Sequence, residues 1–393
     1  MKEKFDVAII GAGLAGLSCA TELKRNKIDF HIFESSDQVG GRVRSDFVDG
    51  FILDRGFQLY NPSYEEGKKI LDYKNLDLKP FTPGIAIRDE KKLKIITDPF
   101  RSKDFRLNFL LKLPGSFRSK IGLISYFLKY LIQSDAQIAI SDDISALEAL
   151  NKSKINKELL DKFLRPFLQG VFLESNLETS RKFLDVVLKT FLRGTPSIPA
   201  QGMQAIPNQL AKSIGFENIS LNSKVEKIST NSLVVNDRVI EAKKIVVASD
   251  LNTAAIWQLV PQKIMRAVST WYFEADKEVE SVANSLPILF VDGQNKGPLT
   301  NAVVLSNAAK SYAPKDKVLV SASAIKPFEE ASESEILHHL EKLFGVSTTN
   351  WNLIKKYEIK NALPAMLPPY SLIDSNKLNR SEEHTSELQS QST

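Results

Sequence analysis

The sequence predicts an α/β fold, and three features near its start carry that reading. An apolar run, Val7 to Ile10, enters a turn with Gly11, Gly13 and Gly16. Leu17 to Lys24 then has helical composition, and a second apolar run, Ile28 to Phe33, ends in Glu34, 18 residues after Gly16. A glycine triplet alone is a weak signal. Strand, glycine turn, helix, second strand and acid in this order predict a βαβ unit that binds a dinucleotide.

Each position has a physical reason. Gly11, Ala12, Gly13, Leu14, Ala15 and Gly16 form the candidate phosphate loop. Gly11 turns the chain out of the strand, Gly13 lets the backbone approach a pyrophosphate, and Gly16 lets the helix pack on the strand. The helix N-terminus then offers free N–H groups and a partial positive charge to the phosphates. Glu34, with Ser35 beside it, can accept hydrogen bonds from an unphosphorylated ribose, which disfavours NADP and leaves NAD and FAD. Gly40, Gly41 and Arg42 follow the second strand. Two adjacent glycines permit close approach to a ligand, and Arg42 offers a planar fork of donors to phosphate oxygens.

The string Glu34-x5-Gly40-Gly41-Arg42 after the glycine turn resembles the flavin-containing amine oxidase and phytoene desaturase superfamily. The resemblance covers roughly residues 5 to 372 and is strongest at the N-terminus. It implies a Rossmann-like FAD-binding domain (βαβ with a β-meander) interleaved with a mixed α+β substrate or cap domain. Glu34 would hold the adenosine ribose, and Arg42 would sit by the pyrophosphate. Leu53-Asp54-Arg55-Gly56-Phe57-Gln58 is similar to the stretch that passes the flavin ring, so Gly56 is a candidate for clearance; an ordinary glycine turn is the alternative. Pro199-Ala200-Gln201-Gly202-Met203 resembles the return into the cofactor domain. Val225 matches the position where the family's backbone meets adenine. Pro166 to Leu173 is similar to a segment of an amine-oxidase-like branch.

The expected organisation is discontinuous: cofactor domain over 1–75 and 195–263, cap domain over 76–194 and 264–360, the start of a return to the cofactor domain over 361–379, and a tail over 380–393. Residues 76–194 read as largely helical. Ser119 to Gln133, Lys157 to Leu168 and Ser180 to Leu192 have helical spacing, and Ser141-Asp142-Asp143 suggests an N-cap for Ile144 to Leu150. Met203, Ile206, Leu210 and Ile214 form one helical stripe. Asn236-Asp237 reads as a hairpin turn, with Lys244 to Ala248 as a further strand. Ser269 to Phe273, Val303 to Leu305 and Val318 to Ser321 read as strands, and Glu333 to Phe344 as a helix.

The tail from Arg380 to Ser390 resembles one reading frame of a sequencing adapter, which implies a C-terminally truncated fold lacking the family's final strand, Gly-Asp turn and helix. A chain so truncated is expected to bind FAD poorly.

Composition bounds the rest. With 393 residues, two domains are expected. The net charge of +5 comes without a long basic block, which argues against nucleic-acid binding. The single cysteine, Cys19, allows no internal disulfide. The first strand starts within five residues of Met1, so no leader is expected, and a cytoplasmic location follows. Phe105 to Leu131, apolar with interleaved Arg and Lys, reads mainly as a packed cap helix and secondarily as a peripheral membrane contact. No zinc spacing, serine-nucleophile elbow or metal cluster is legible; His338 and His339 are adjacent and face different directions.

The expected function is an FAD-dependent oxidoreductase that passes a hydride from an apolar or amine-bearing small molecule to flavin. The alternatives are a non-catalytic lipid carrier like the Rab GDP dissociation inhibitors, and an NAD-dependent dehydrogenase, which Gly40-Gly41-Arg42 disfavours. Lysines such as Lys263 and Lys326 are present, but no motif selects a catalytic residue.

Overall fold

The apolar run after Lys4 is buried on both sides, as a central parallel strand must be. A computed structural model describes residues 4–98, 101, 112–325 and 330–370. In chain order its strands are β1 (Lys4–Ile10), β2 (Phe30–Phe33), β3 (Ser45–Val48), β4 (Phe51–Asp54), β5 (Leu78–Pro80), β6 (Gly84–Asp89), β7 (Lys92–Thr97), β8 (Ser197–Pro199), β9 (Ile219–Ser220), β10 (Val225–Ile228), β11 (Ser232–Val235), β12 (Arg238–Val247), β13 (Met265–Ala275), β14 (Leu289–Asp292), β15 (Leu299–Val304), β16 (Val318–Ala324) and β17 (Asn352–Pro364). The longer helices are α1 (Leu14–Arg25), α2 (Phe117–Ile132), α3 (Arg165–Phe172), α4 (Arg181–Arg193), α5 (Ala205–Ile214) and α6 (Glu333–Phe344).

Two large sheets organise the molecule. The first has the order β10-β11-β12-β1-β2-β9, with β12, β1, β2 and β9 parallel and the β10-β11-β12 meander antiparallel. Helix α1 connects β1 to β2, and α5 packs beside α1. Leu17 and Ala20 of α1 meet Ile9, Ile32, Leu210 and Ile214 in one apolar cluster.

The second sheet has the order β17-β13-β16-β15-β14-β6-β7 and is antiparallel except for β14 against β6. One face carries Trp271, Phe273, Val320 and Ala322 under α6. The opposite face is shared. Ile85, Ile87 and Val291 pack under the helical layer, with Leu123, Leu164, Leu168 and Leu184. Tyr272 and Val303 pack instead on Phe51, Leu53, Met203 and Ile206 of the dinucleotide half. A seam therefore runs across this face between the helices and the first domain.

Several expectations change. Residues 78–97 are strands β5, β6 and β7 rather than part of a helical region, because Ile85, Ile87 and Ile96 alternate into a core that only a sheet edge can reach. β17 runs past residue 360 to Pro364, so the proposed boundary falls inside a cap strand. The helix near 146 is capped by Ser145, whose hydroxyl accepts from Glu148 N, while Asp143 instead accepts from Ser180 Oγ. Lys157 to Phe172 is interrupted by a π-turn at Leu160–Leu164; Pro166, just beyond, lacks the N–H that would continue the ladder. Arg238 and Lys244–Val247 lie in one ten-residue strand, which pairs with β11 through its first half and with β1 through its second. Asn236 and Asp237 both adopt positive φ, as a two-residue hairpin turn requires. The adapter-like tail, Leu372 and Lys326 lie outside the described residues.

Candidate cofactor site

β1 ends at Ile10, and Gly11 turns the chain with φ +103°. Gly13 is the N-cap of α1; no side chain caps it, and the first turn carries no acid. A twelve-residue helix thus presents free main-chain N–H groups and a partial positive charge. A Cβ on Gly13 would meet no atom within 4 Å, so the space before these donors is open. A Cβ on Gly16 would lie 2.0 Å from the Gly11 carbonyl oxygen, so Gly16 is fixed by helix–strand packing.

Gly40 closes one side of this mouth. Its N–H donates to Ala12 O at 2.8 Å, and it bridges Gly13 as a parallel neighbour. Gly41 is in the left-handed region at φ +59°, and its Cβ position lies 3.4 Å from the Gly13 α-carbon. Arg42 reaches away from the loop: Nη1 donates to Ala362 O at 2.8 Å, at the end of β17.

Glu34 is buried at the tip of β2. Its Oε2 accepts from Ala12 N at 2.7 Å, and Oε1 accepts from Ser36 N at 2.9 Å, Ser36 Oγ at 2.7 Å and Ser35 Oγ at 3.3 Å. Oε2 keeps a second lone pair for a further donor. The loop before β10 is pinned beside this acid: Ser223 N donates to Glu34 O at 2.7 Å, and Asn222 N to Ser36 O at 2.9 Å. Val225, buried at the start of β10, thus follows a loop held against Glu34.

Gly56 lies elsewhere, where the two sheets meet. It has φ +96°, and its Cβ position lies 3.2 Å from Ile359 Cδ1 of β17. Around it are residues that sequence reasoning missed. Asp54 is fully enclosed; it accepts from Ser45 Oγ at 2.5 Å, Met203 N at 2.9 Å and Tyr312 Oη at 2.9 Å, while Tyr272 Oη donates to its carbonyl at 2.7 Å. Burial pushes the Asp54 carboxyl up to about 6, against the hydrogen bonds from Ser45, Met203 and Tyr312. Asp46 accepts from Arg55 Nη2 at 2.9 Å, Lys355 Nζ at 2.8 Å and Tyr357 Oη at 2.7 Å. Burial would raise it, but the hydrogen bonds from Lys355, Tyr357 and Arg55 hold it far below the usual carboxylate range. These ties fix the cap sheet against the first domain. The partners from the cap domain, Tyr272, Tyr312, Lys355 and Tyr357, lie more than two hundred positions from these acids, and no local pattern marks them. Lys263 is exposed.

The chain matches the family described as flavin containing amine oxidoreductase over residues 14–372. It is 25% identical over 275 residues to protoporphyrinogen oxidase 2 of Arabidopsis thaliana, covering 58% of this chain and 51% of that protein. It is 37% identical over 101 residues to a 4,4'-diapophytoene desaturase of Staphylococcus haemolyticus, covering 23% of this chain and 20% of that one. An oxidoreductase structure from Methanosarcina mazei superposes with a TM-score of 0.71 at 18% identity, covering 92% and 89% of the two chains, a likeness of fold. The chain spans about half the length of the plant relative.

FAD fits what the residues present. An uncapped helix N-terminus faces open space, a Cβ on Gly13 would fill the cradle, and a buried carboxylate with an unused lone pair stands beside it. The chain belongs to the flavin-containing amine oxidoreductase family, and its cofactor is FAD.

Proposed function

We propose that this protein is an FAD-dependent oxidoreductase that oxidises a small molecule held between the two sheets. The uncapped start of α1, open in front of Gly13 and flanked by Glu34, carries this reading. When bound, the flavin supplies the two-electron acceptor for a hydride from substrate carbon.

The chain's own groups do the rest. N–H groups of Leu14, Ala15 and Gly16 would hold the pyrophosphate, with Gly40 and Gly41 giving close approach, while Arg42 is engaged with Ala362 O at 2.8 Å, away from the loop. Glu34 Oε2 would accept from the adenosine ribose, and Ser35 shapes the same turn. Ala12 spends its N–H on orienting that carboxylate at 2.7 Å. The Val225 backbone would border adenine. Gly56 would leave clearance for the ring only on the side away from Ile359, whose Cδ1 lies 3.2 Å from its Cβ position. The Asp46 and Asp54 networks hold the cap sheet in place and exclude water.

The test is the visible spectrum of the full-length protein. Flavin absorbance at one equivalent supports the proposal. A colourless protein that ignores added FAD fails it and favours a carrier; NAD binding in its place favours a dehydrogenase.

A second reading concerns location. On α2, Phe117, Ile121, Leu128 and Ile132 are exposed and fall on one helical face, between Lys120 on one side and Arg118 and Lys129 on the other. We propose a cytoplasmic protein that rests on an anionic lipid surface through this face. No helix among the described residues is long and apolar enough to cross a membrane. Of the expected contact segment, residues 105–111 lie outside the described residues. Salt-sensitive co-sedimentation with phosphatidylserine vesicles, lost in Phe117→Ser/Ile132→Ser, is the expected result; equal binding by that variant would refute it.

A further inference from the structure

Residues Val39 to Ser45 carry the chain past the mouth of α1 and into β3. Both ends of this loop are held by one residue, Gln204, at the start of α5. Its side-chain Nε2 donates to Val39 O at 2.9 Å, and its main-chain N–H donates to Ser45 Oγ at 3.0 Å. Gln204 is buried, and its Nε2 also donates to Asn208 Oδ1 at 3.0 Å, one turn along α5. Val39 O can only accept, so the nitrogen end of the amide must face the loop.

The stretch between the two ties borders the cradle. Gly40 N–H donates to Ala12 O, and Gly41 comes up against Gly13. Gly40 and Gly41 have φ of +118° and +59°. Two adjacent glycines have more backbone freedom to lose than other residues, so the loop keeps one shape only if outside contacts impose it. α5 supplies them from behind: a Cβ on Gly40 would stand 3.0 Å from Pro207 Cγ. Arg44 adds a tie at the base of the loop, from Nη2 to Asp37 Oδ1 at 2.9 Å, but Asp37 is exposed and water can take its place. The tie from Gln204 to Val39 O is buried, so losing the donor leaves that carbonyl without a partner. At the other end Ser45 Oγ donates to Asp54 at 2.5 Å, which anchors the clamp in the junction between the two sheets.

We propose that Gln204 is a positioning residue for the cofactor: it clamps the Gly40-Gly41 loop at both ends in the shape that meets the pyrophosphate. It acts through the loop and not by touching FAD. This rests on the FAD-binding reading and deepens it by naming what holds that wall of the cradle. A preformed loop binds without an ordering cost. A released loop must be ordered by the ligand, and the affinity falls accordingly.

The test makes two measurements on the full-length protein. FAD affinity is followed by flavin fluorescence at about 15 °C, where circular dichroism confirms that each variant is folded; at that temperature a residue that only adds stability leaves affinity unchanged. Amide hydrogen exchange is followed in peptides covering 38–45, with β13 and β16 as the reference. Gln204→Met removes the donor at similar size. It is expected to weaken FAD about tenfold and to speed exchange at 38–45 about tenfold, with the reference strands unchanged. Gln204→Glu is the conservative variant. At about pH 8 its carboxylate repels Val39 O, and losses at least as large as those of Gln204→Met are expected. At about pH 5 burial favours the protonated acid, which donates again, and both readouts are expected within about twofold of wild type at the same pH. Wild-type exchange at 38–45 in Gln204→Met overturns the proposal whether or not flavin binds. Faster loop exchange with unchanged FAD affinity overturns it too. So does a uniform rise in exchange, or no recovery of Gln204→Glu at low pH, either of which marks ordinary packing. A wild-type protein that ignores FAD fails the flavoprotein reading instead, and the exchange data still decide whether Gln204 clamps the loop.

Discussion

At the mouth of the first sheet, the available groups are main-chain N–H groups at the start of α1; where the second sheet meets the first domain, they are side chains, with the Asp46 and Asp54 networks foremost. A main-chain site works only if particular side chains are missing, so it imposes glycine at fixed spacing. A side-chain site imposes nothing on spacing, because the fold brings its members together from distant segments. The first is legible in sequence, and the second only once the chain has folded.

Substitutions at the two glycines of α1 separate ligand space from packing space. Gly13→Val projects into open space, at φ −71°, which valine adopts freely. FAD affinity is expected to fall about a thousandfold, roughly 4 kcal/mol, with the unfolding midpoint unchanged. Tight FAD binding by this variant, read by fluorescence titration, would break the assignment of the cradle. Gly16→Ala meets the Gly11 carbonyl instead. It is expected to cost about 3 kcal/mol of stability in urea titration even without FAD; a neutral result would mean that α1 shifts freely on its sheet.

The junction of the two halves is sharpened by pH. The folded pKa of Asp54, raised from 3.8 to about 6, means that the folded state holds this proton more tightly. The associated stability is full below about 4 and is lost as pH rises through 6, by about 3 kcal/mol in all. His31, lowered by burial, slopes the opposite way, so the useful quantity is the difference between wild type and Asp54→Asn. The amide mimics the protonated acid: it accepts from Ser45 and Met203 and donates to Tyr312. The variant is expected to gain relative to wild type between pH 4 and 6. A pH-independent difference would show that Asp54 stays ionised in the fold.

Glu34→Gln is expected to give the smallest effect, about tenfold weaker FAD binding with the fold retained. Its amide oxygen can accept on one side only, so the NH2 faces either the Ala12 N–H and the ribose or the Ser36 N–H. Unchanged affinity would move the ribose away from this residue.

Legibility follows the same division. The helix stripe Ile206, Leu210 and Ile214, with Met203 just before the helix, and the turn at Asn236-Asp237 could be read because periodicity and turn chemistry act within a few residues. β6 and β7 were hidden: their short alternating runs gain meaning only beside β14, some two hundred residues later. Arg42 shows the limit of a motif. Its place beside the glycines was legible, but the hydrogen bond to Ala362 depends on where β17 ends.

The amino-acid sequence alone determined the βαβ unit, the glycine cradle and the acid beside it, because those constraints are local and steric. Tertiary structure decided the rest: the Asp46 and Asp54 junctions and the seam across the second sheet. Each depends on side chains far apart in the chain, selected by burial and hydrogen bonding that exist only once the two sheets have closed on one another.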